Sequence, residues 1–251
     1  SPIDTALNRA MNHLILTPAD GIGSITQHSG TGTDTLEECL DKDHYLSYTK
    51  DISYRYNSRG FRDHEWPEDL SNVVWCVGDS FTVGIGQPFE ETWPQLLQQK
   101  LGRRCINISE DGCSNDTISL RVNEIVNTNK PKLIVIMWSY FTRRRVDGVN
   151  VSHDKNDFGN KQDLNNFIKN YTYVNNLPTT IIHSMIPKAF MGNFTEYVMK
   201  KTTDVKQIKC VEQLDWARDH HHFDIKTSST FVDWVHKKIT NVDNTSKYPI
   251  Q

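Results

Sequence analysis

Directly after the β-branched run Val73-Val74-Trp75-Cys76-Val77 comes Gly78-Asp79-Ser80-Phe81-Thr82-Val83-Gly84. That order puts a serine on a tight turn at the carboxyl end of a strand, exposing its Oγ and aiming the following backbone N–H groups at one point. A serine hydroxyl becomes a nucleophile only when a base takes its proton, and the base works best when a carboxylate holds it in one tautomer. Asp219-His220-His221-His222, far along the chain, supplies both groups. Asp219 and His222, three residues apart, can face each other across one turn. In that arrangement His222 takes the Ser80 proton on one ring nitrogen while Asp219 accepts the N–H of the other and stabilises the imidazolium.

These residues need a scaffold that brings residue 80 and residue 222 to one edge. Val73 to Val77 reads as a strand, ended by Gly78 and followed by a helical stretch from Glu91 to Leu101. The alternation repeats: Arg104 to Ile108 as strand, Asn115 to Val126 as helix with Ile118, Val122, Ile125 and Val126 on one face, then Leu133 to Trp138 as an uninterrupted apolar strand. Strands covered on both faces read as continuous hydrophobic runs, so an α/β protein with a parallel sheet is expected. Further along, Gln162 to Tyr173 reads as a helix, Thr179 to Ser184 as a fourth strand, Asn193 to Lys201 as a helix and Ser228 to Ile239 as a closing amphipathic helix. The polar stretch Arg143 to Lys161 reads as a long loop at the carboxyl end of the third strand, the edge where open α/β sheets bind ligands. Upstream, Asp4 to Leu16 has helical spacing, Gly21 to Thr35 reads as loop, and the aromatic-rich Asp41 to Leu70 reads as an irregular segment packed on the main domain. The expected division is an extension over residues 1–70 and a catalytic domain over residues 71–251.

Composition excludes several classes. The chain has 251 residues, 37% hydrophobic and 24% charged, with six Trp and ten Phe, enough apolar surface to fold. A formal net charge of −3 leaves no cation excess for phosphate neutralisation, which argues against nucleic acid and polybasic membrane contacts. The longest strongly apolar run, Leu133 to Trp138, is far short of the roughly 20 residues a membrane span needs. Ser1-Pro2-Ile3-Asp4 does not begin a basic-then-apolar leader, so no signal peptide is read in these residues, and export and localisation stay open. The five scattered cysteines include no CxxC pair, so reduced thiols are expected in place of a disulfide framework or a zinc cage. Asn-x-Ser/Thr triplets at Asn107, Asn150, Asn170 and Asn193 fit chance in an Asn-rich chain.

Over about residues 52 to 240 the sequence resembles the SGNH, or GDSL-type, esterases and acyl hydrolases. The resemblance rests on Gly78-Asp79-Ser80, on Gly112 after the second strand, on Asp219-x-x-His222 before the last helix, and on the lead-in Tyr54-Arg55-Tyr56-Asn57-Ser58-Arg59-Gly60-Phe61-Arg62. It implies a flavodoxin-like three-layer α/β/α sandwich around a central parallel sheet, and ester hydrolysis without a metal or other cofactor, often of acetyl groups on sugars or acyl chains on lipids. By analogy Ser80 is the nucleophile, Asp219 and His222 complete the triad, and the backbone N–H groups of Ser80 and Gly112 form part of the oxyanion hole. The family's Gly-x-Asn-Asp block, which gives that hole an Asn side chain, is replaced here by Met137-Trp138-Ser139-Tyr140-Phe141-Thr142-Arg143. Losing one oxyanion donor costs about 10²–10³ in turnover. Two substitutes are near in sequence, the Ser139 hydroxyl and the Asn115 amide.

Other residues at the same edge carry two readings each. Trp138 and Tyr140 could stack on a sugar or belong to the core. Arg143 could fork onto an anionic substrate or bond to loop carbonyls. Asp79 is expected to bond the turn's backbone, and His183 to sit in the core or at a sheet edge. The His220-His221-His222 run invites a metal-dependent hydrolase, but adjacent side chains diverge and no partner lies at zinc spacing. Gly84-Ile85-Gly86 lacks the Lys and Ser/Thr of a phosphate loop. The expected function is a serine esterase acting on a small-molecule or glycan ester, with O-acetylated carbohydrate preferred. A degenerate domain that binds glycan or a protein partner is the alternative, and a short-chain lipid esterase the second.

Overall fold

The computed structural model describes residues 26–28, 30–152, 161–187 and 208–245. The helices expected over Asp4 to Leu16 and Asn193 to Lys201, residues 21–25 and 29 of the loop expected over Gly21 to Thr35, and Asn193 itself lie outside the described residues.

Five parallel strands form the central sheet: β3 (Val74–Val77), β4 (Cys105–Asn107), β5 (Leu133–Trp138), β8 (Thr180–Met185) and β9 (Lys209–Cys210), in the order β4-β3-β5-β8-β9. Every residue of β3, β4 and β5 is buried. Both faces of the sheet must therefore be covered, which explains why β5 can be apolar without alternation. The cover comes from two packed helix pairs. Helix α3 (Trp93–Leu101) lies against α6 (Ile225–Thr245), with the Trp93 and Phe231 rings edge to face at 5.1 Å, and α4 (Asn115–Asn129) lies against α5 (Lys161–Asn175). The architecture is the α/β sandwich with a central parallel sheet.

Local chemistry sets the helix ends. Ser114 caps α4 by accepting from the Thr117 N–H, and Ile118, Val122, Ile125 and Val126 bury its inner face. Helix α3 starts with Pro near its first position and ends at Gly102 in the left-handed region.

Strand order reverses between β3 and β5: the chain leaves β3 for β4 on one side, then crosses to β5 on the other. Loops leaving β3 and β5 diverge there, making the crevice in which such sheets take ligands. Ser80 follows β3 and Ser139 to Arg143 follow β5.

Several elements depart from the sequence expectation, and one is β1 (Thr26–His28), a strand inside the stretch Gly21 to Thr35 expected as loop. Arg143 to Ser152, expected as loop, is a hairpin of β6 (Arg143–Val146) and β7 (Val149–Ser152), turning at Asp147 and Gly148 with φ of 50° and 81°. Asp-Gly with both residues at positive φ is the turn that matches strand twist. The fifth strand, β9, is two residues long and carries no apolar run by which to recognise it.

Residues 30–70 pack on this unit. They include α1 (Lys42–Ser47) and β2 (Tyr54–Tyr56), which pairs antiparallel with β1 (Thr26–His28). Tyr54 and Phe61 are fully buried, and the Arg62 guanidinium sits beneath α2 (Ser80–Val83), donating to the carbonyls of Val83 (3.2 Å), Gly84 (2.7 Å), Ser53 (2.9 Å) and Gln87 (2.8 Å). The lead-in motif has a local cause: the Asn57 side chain accepts from the N–H groups of Arg59 and Phe61, closing the turn that delivers Arg62. None of the described helices is long and apolar enough to cross a membrane.

Candidate active site

Ser80 is the first residue of α2, whose N-cap is Asp79. The Asp79 side chain accepts from the Phe81 N–H at 3.0 Å, so the acidic residue of the triplet holds the turn. From below, Asn107 at the end of β4 donates to the Thr82 carbonyl at 2.9 Å. The short helix is thus fixed by β4 and by Arg62, and Ser80 is placed by contacts on both sides.

Residues 217 to 222 approach from the opposite side. Gly86 allows it: a Cβ there would lie 2.7 Å from the Ala217 Cβ, and the Gly86 carbonyl accepts from the Arg218 N–H at 3.1 Å. The loop closes on itself through Ala217 N–H to His222 O at 2.8 Å. It delivers His222 Nε2 to 2.8 Å from Ser80 Oγ, while His222 Nδ1 lies 2.5 Å from Asp219 Oδ2. A carboxylate only accepts, so Nδ1 carries the ring proton and Nε2 is left to accept from the serine. Asp219 Oδ1 accepts the N–H groups of His221 (3.0 Å) and His222 (3.1 Å), and Oδ2 accepts a further bond from Thr33 Oγ1 at 2.6 Å. Burial alone would raise the Asp219 carboxyl, but the donors around it, His222 foremost, hold it well below the usual carboxylate range. It is ionised at neutral pH.

The two backbone groups expected as oxyanion donors, the Ser80 N–H at the start of α2 and the Gly112 N–H in a loop with φ 74°, have no hydrogen-bond partner among the described residues. The two side chains weighed as a third donor are committed elsewhere. Asn115 gives its amide protons to the carbonyls of Ser139 (3.1 Å) and Tyr140 (3.2 Å) and accepts from the Ser139 N–H at 2.8 Å, tying the end of β5 to α4. The Ser139 hydroxyl donates to Asp79 Oδ2 at 2.5 Å.

Arg143 has a structural partner, because its Nη1 lies 3.3 Å from Asp79 Oδ2 and 3.2 Å from Ser139 Oγ, and its guanidinium covers the Tyr140 ring at 4.5 Å. Burial raises the Asp79 carboxyl, and Arg143, Ser139 and the Phe81 N–H counter that rise. Trp138 is a core residue: fully buried, edge to face with Phe167 at 5.5 Å, its indole N–H donating to His183 Nδ1 at 3.1 Å. It has no face to offer a sugar. His183 is that satisfied histidine, and burial depresses it to about 3. Tyr140 is 7% exposed. Arg144 pairs with Asp163 at 2.7 Å, and the Arg145 backbone N–H donates to Asp116, so the arginine run is spent on the hairpin's own anchoring.

Only the third member of the histidine run reaches Ser80. The His220 ring packs on His44 at 4.7 Å and Trp216 at 5.9 Å, and His221 stands edge to face with His222. No group of three or more His, Cys, Asp or Glu among the described residues could hold a metal ion. Asn107 is buried in β4, and the Asn150 side chain accepts from Ser114 and Thr117 at 2.6 Å each, so both triplets are used internally.

Sequence reasoning missed Thr33, Asp34 and Asp63, and named Tyr54 only as part of the lead-in. Asp63 accepts from the Asn107 N–H at 2.9 Å and pairs with Arg104 at 3.0 Å. Asp34 is fully buried between Arg218 and the Tyr54 hydroxyl. Isolated polar residues in an irregular segment carry no periodicity to mark them.

No protein-family model matches the chain, and neither does any curated protein. Solved structures similar to it include TesA (16% identity, TM-score 0.47, covering 68% of this chain and 99% of that one) and a G-D-S-L family lipolytic protein from Desulfitobacterium hafniense (13%, 0.47, 66% and 99%). A family two carbohydrate esterase from Clostridium thermocellum, solved with cellohexaose, is similar at 14% identity and TM-score 0.42, over 71% of this chain and 66% of that one.

Proposed function

We propose that this chain is an SGNH-type serine esterase that cleaves carboxylic esters through an acyl-enzyme, with Ser80, His222 and Asp219 as its triad. The observation that carries the reading is the continuous hydrogen-bonded path from Ser80 Oγ through His222 to Asp219, 2.8 and 2.5 Å, at the sheet's switch point. Ser80 Oγ attacks the ester carbonyl carbon and its proton passes to His222 Nε2. The oxygen that gains the negative charge faces the Ser80 and Gly112 N–H groups. As the tetrahedral centre collapses, the C–O bond to the alcohol breaks and His222 gives the alcohol its proton. Water then attacks the acyl-serine, with His222 taking the water's proton and returning it to Ser80, and the acid leaves.

O-acetylated carbohydrate is the preferred substrate, on the polar composition, the lack of a long apolar segment to cover an acyl chain, and the resemblance read from the sequence. A short-chain lipid ester is the second candidate. The experiment is cleavage of p-nitrophenyl acetate and acetate release from a panel of acetylated sugars by wild type, Ser80→Ala and His222→Ala. Turnover lost in both variants supports the reading; no ester cleavage by the wild type sinks it.

One observation favours a binding domain without turnover. The Ser139 hydroxyl and the Asn115 amide, the two side chains weighed as a third oxyanion donor, are both committed to other partners. Saturable glycan binding, unchanged in Ser80→Ala and accompanied by no ester cleavage, would favour that second reading.

A further inference from the structure

The turn Thr31 to Asp34 lies far from the triad in sequence and touches it in space. Asp34 donates its N–H to the Thr31 carbonyl at 2.9 Å, closing a tight turn with Gly32 and Thr33 at its apex. Asp34 is fully buried, and its carboxylate accepts two bonds from Arg218, at 2.9 and 2.7 Å, and one from the Tyr54 hydroxyl at 2.5 Å. The same Tyr54 oxygen accepts from the Gly86 N–H at 2.7 Å, in the loop that follows the nucleophile. Gly32 is pressed against the loop bearing Gly112: a Cβ on it would lie 2.6 Å from Asp111 Oδ2. The Leu40 N–H donates to the Asp219 carbonyl at 3.1 Å. One turn therefore meets the loops of the nucleophile, the oxyanion donor and the acid–base pair.

At its apex, Thr33 Oγ1 donates to Asp219 Oδ2 at 2.6 Å, the oxygen that also holds His222 Nδ1. Each Asp219 oxygen then accepts two bonds, Oδ1 from two backbone N–H groups and Oδ2 from His222 and Thr33. Four donors in fixed directions stop the carboxylate from rotating, and its plane sets that of the imidazole. Without Thr33, Oδ2 keeps only the His222 ring as a direct partner among the described residues.

We propose, resting on the serine-esterase reading, that Thr33 is a positioning residue that acts through Asp219 to hold the His222 ring in line with Ser80. The residue touches no reacting atom. Its second effect is electronic: by sharing Oδ2 it moderates the charge that Asp219 presents to the ring, so its loss strengthens the pull on the imidazolium.

The test compares Thr33→Val, which keeps the shape and loses the hydroxyl, with Thr33→Ser, which restores it. Three quantities are read: p-nitrophenyl acetate kinetics against pH, the thermal midpoint, and the downfield proton resonance of the His222 Nδ1–H shared with Asp219. The expected result for Thr33→Val is a kcat about 10- to 100-fold lower with KM little changed, and recovery to within about threefold in Thr33→Ser, as for other misalignments of a reacting pair. The acid limb of its pH–rate profile moves to higher pH and the downfield resonance shifts, both reverting in Thr33→Ser. Unchanged kcat and resonance in Thr33→Val overturn the proposal, and so does an equal loss in both variants that follows only the thermal midpoint. If the wild type cleaves no ester, the functional reading fails. The resonance still decides whether Thr33 governs the Asp219–His222 bond.

Discussion

The guanidinium of Arg143 and the carboxylate of Asp79 meet at 3.3 Å across the crevice between β3 and β5, with the Ser139 hydroxyl bonded to both. The residue beside Ser80 is thereby paired with a cation from the segment that follows β5, on the far side of the switch point. The site is closed from two strands at once, and its integrity depends on that charge pair.

Arg143→Leu is expected to destabilise the protein by about 2 to 4 kcal/mol, because it leaves a buried carboxylate without its counter-ion. Burial already holds Asp79 above its usual value. A carboxyl raised on folding contributes fully below its unfolded value near 4 and loses that contribution as pH rises through the folded value. Removing Arg143 raises it further, so urea denaturation should show a larger loss at pH 8 than at pH 5. Adding Asp79→Asn should recover part of the loss at pH 8. Equal losses at both pH values would contradict this account.

Asp219→Asn is expected to lower kcat by about 10⁴ and to lower the thermal midpoint at pH 7, since an amide presents an N–H where His222 needs an acceptor and cannot hold the charge that its donors stabilise. The wild-type carboxyl is depressed on folding. It therefore contributes stability that is full above its unfolded value near 4 and is lost as pH falls through the folded value. Acid unfolding monitored by circular dichroism should thus be shallower in the variant below pH 4.

Asp34→Ala is expected to cost about 3 to 5 kcal/mol, as for other buried ion pairs broken on one side, because it strands the Arg218 guanidinium. Turnover at a temperature where the variant is still folded should also fall, since Arg218 adjoins Asp219. A variant that loses stability and keeps full kcat would show that the turn does not position the loop.

Glu124 on α4 is 7% exposed, has one carboxyl oxygen without a hydrogen bond, and is pushed by burial to about 7. Its proton is retained on folding, so its contribution is full below about 4.5 and declines as pH rises through 7. Glu124→Gln removes that decline, and at pH 8 it should be more stable than wild type by about 1 to 3 kcal/mol, with the two alike at pH 5. Differential scanning calorimetry at the two pH values decides it.

Where the sequence told most, a physical constraint forced a visible pattern. Leu133–Trp138 had to be apolar throughout because the strand is buried on both faces, and its limits are those expected from the run alone. Asp219 and His222 are separated by one turn of chain, so their meeting could be anticipated, whereas the approach of His222 to Ser80 follows from topology. The β6–β7 hairpin was hidden because its strands are polar, although Asp147-Gly148 between them is a strong turn signal. Trp138 shows the limit of residue type as a guide: the same indole suits a sugar platform or a core, and its full burial against Phe167 with its hydrogen bond to His183 separates the two. The Thr33 contact had no local trace at all, because its partner is 186 residues away.

That distance bears on when activity can arise during synthesis. Ser80 and His222 are 142 residues apart, and the loop bearing His222 follows the last strand of the sheet. A nascent chain that has emerged as far as β8 holds the serine, its short helix and the backbone donors, yet has no base to deprotonate the hydroxyl. On the proposed function, turnover would begin only after the loop bearing His222 has docked beside Ser80, and a fragment ending before Asp219 would cleave no ester.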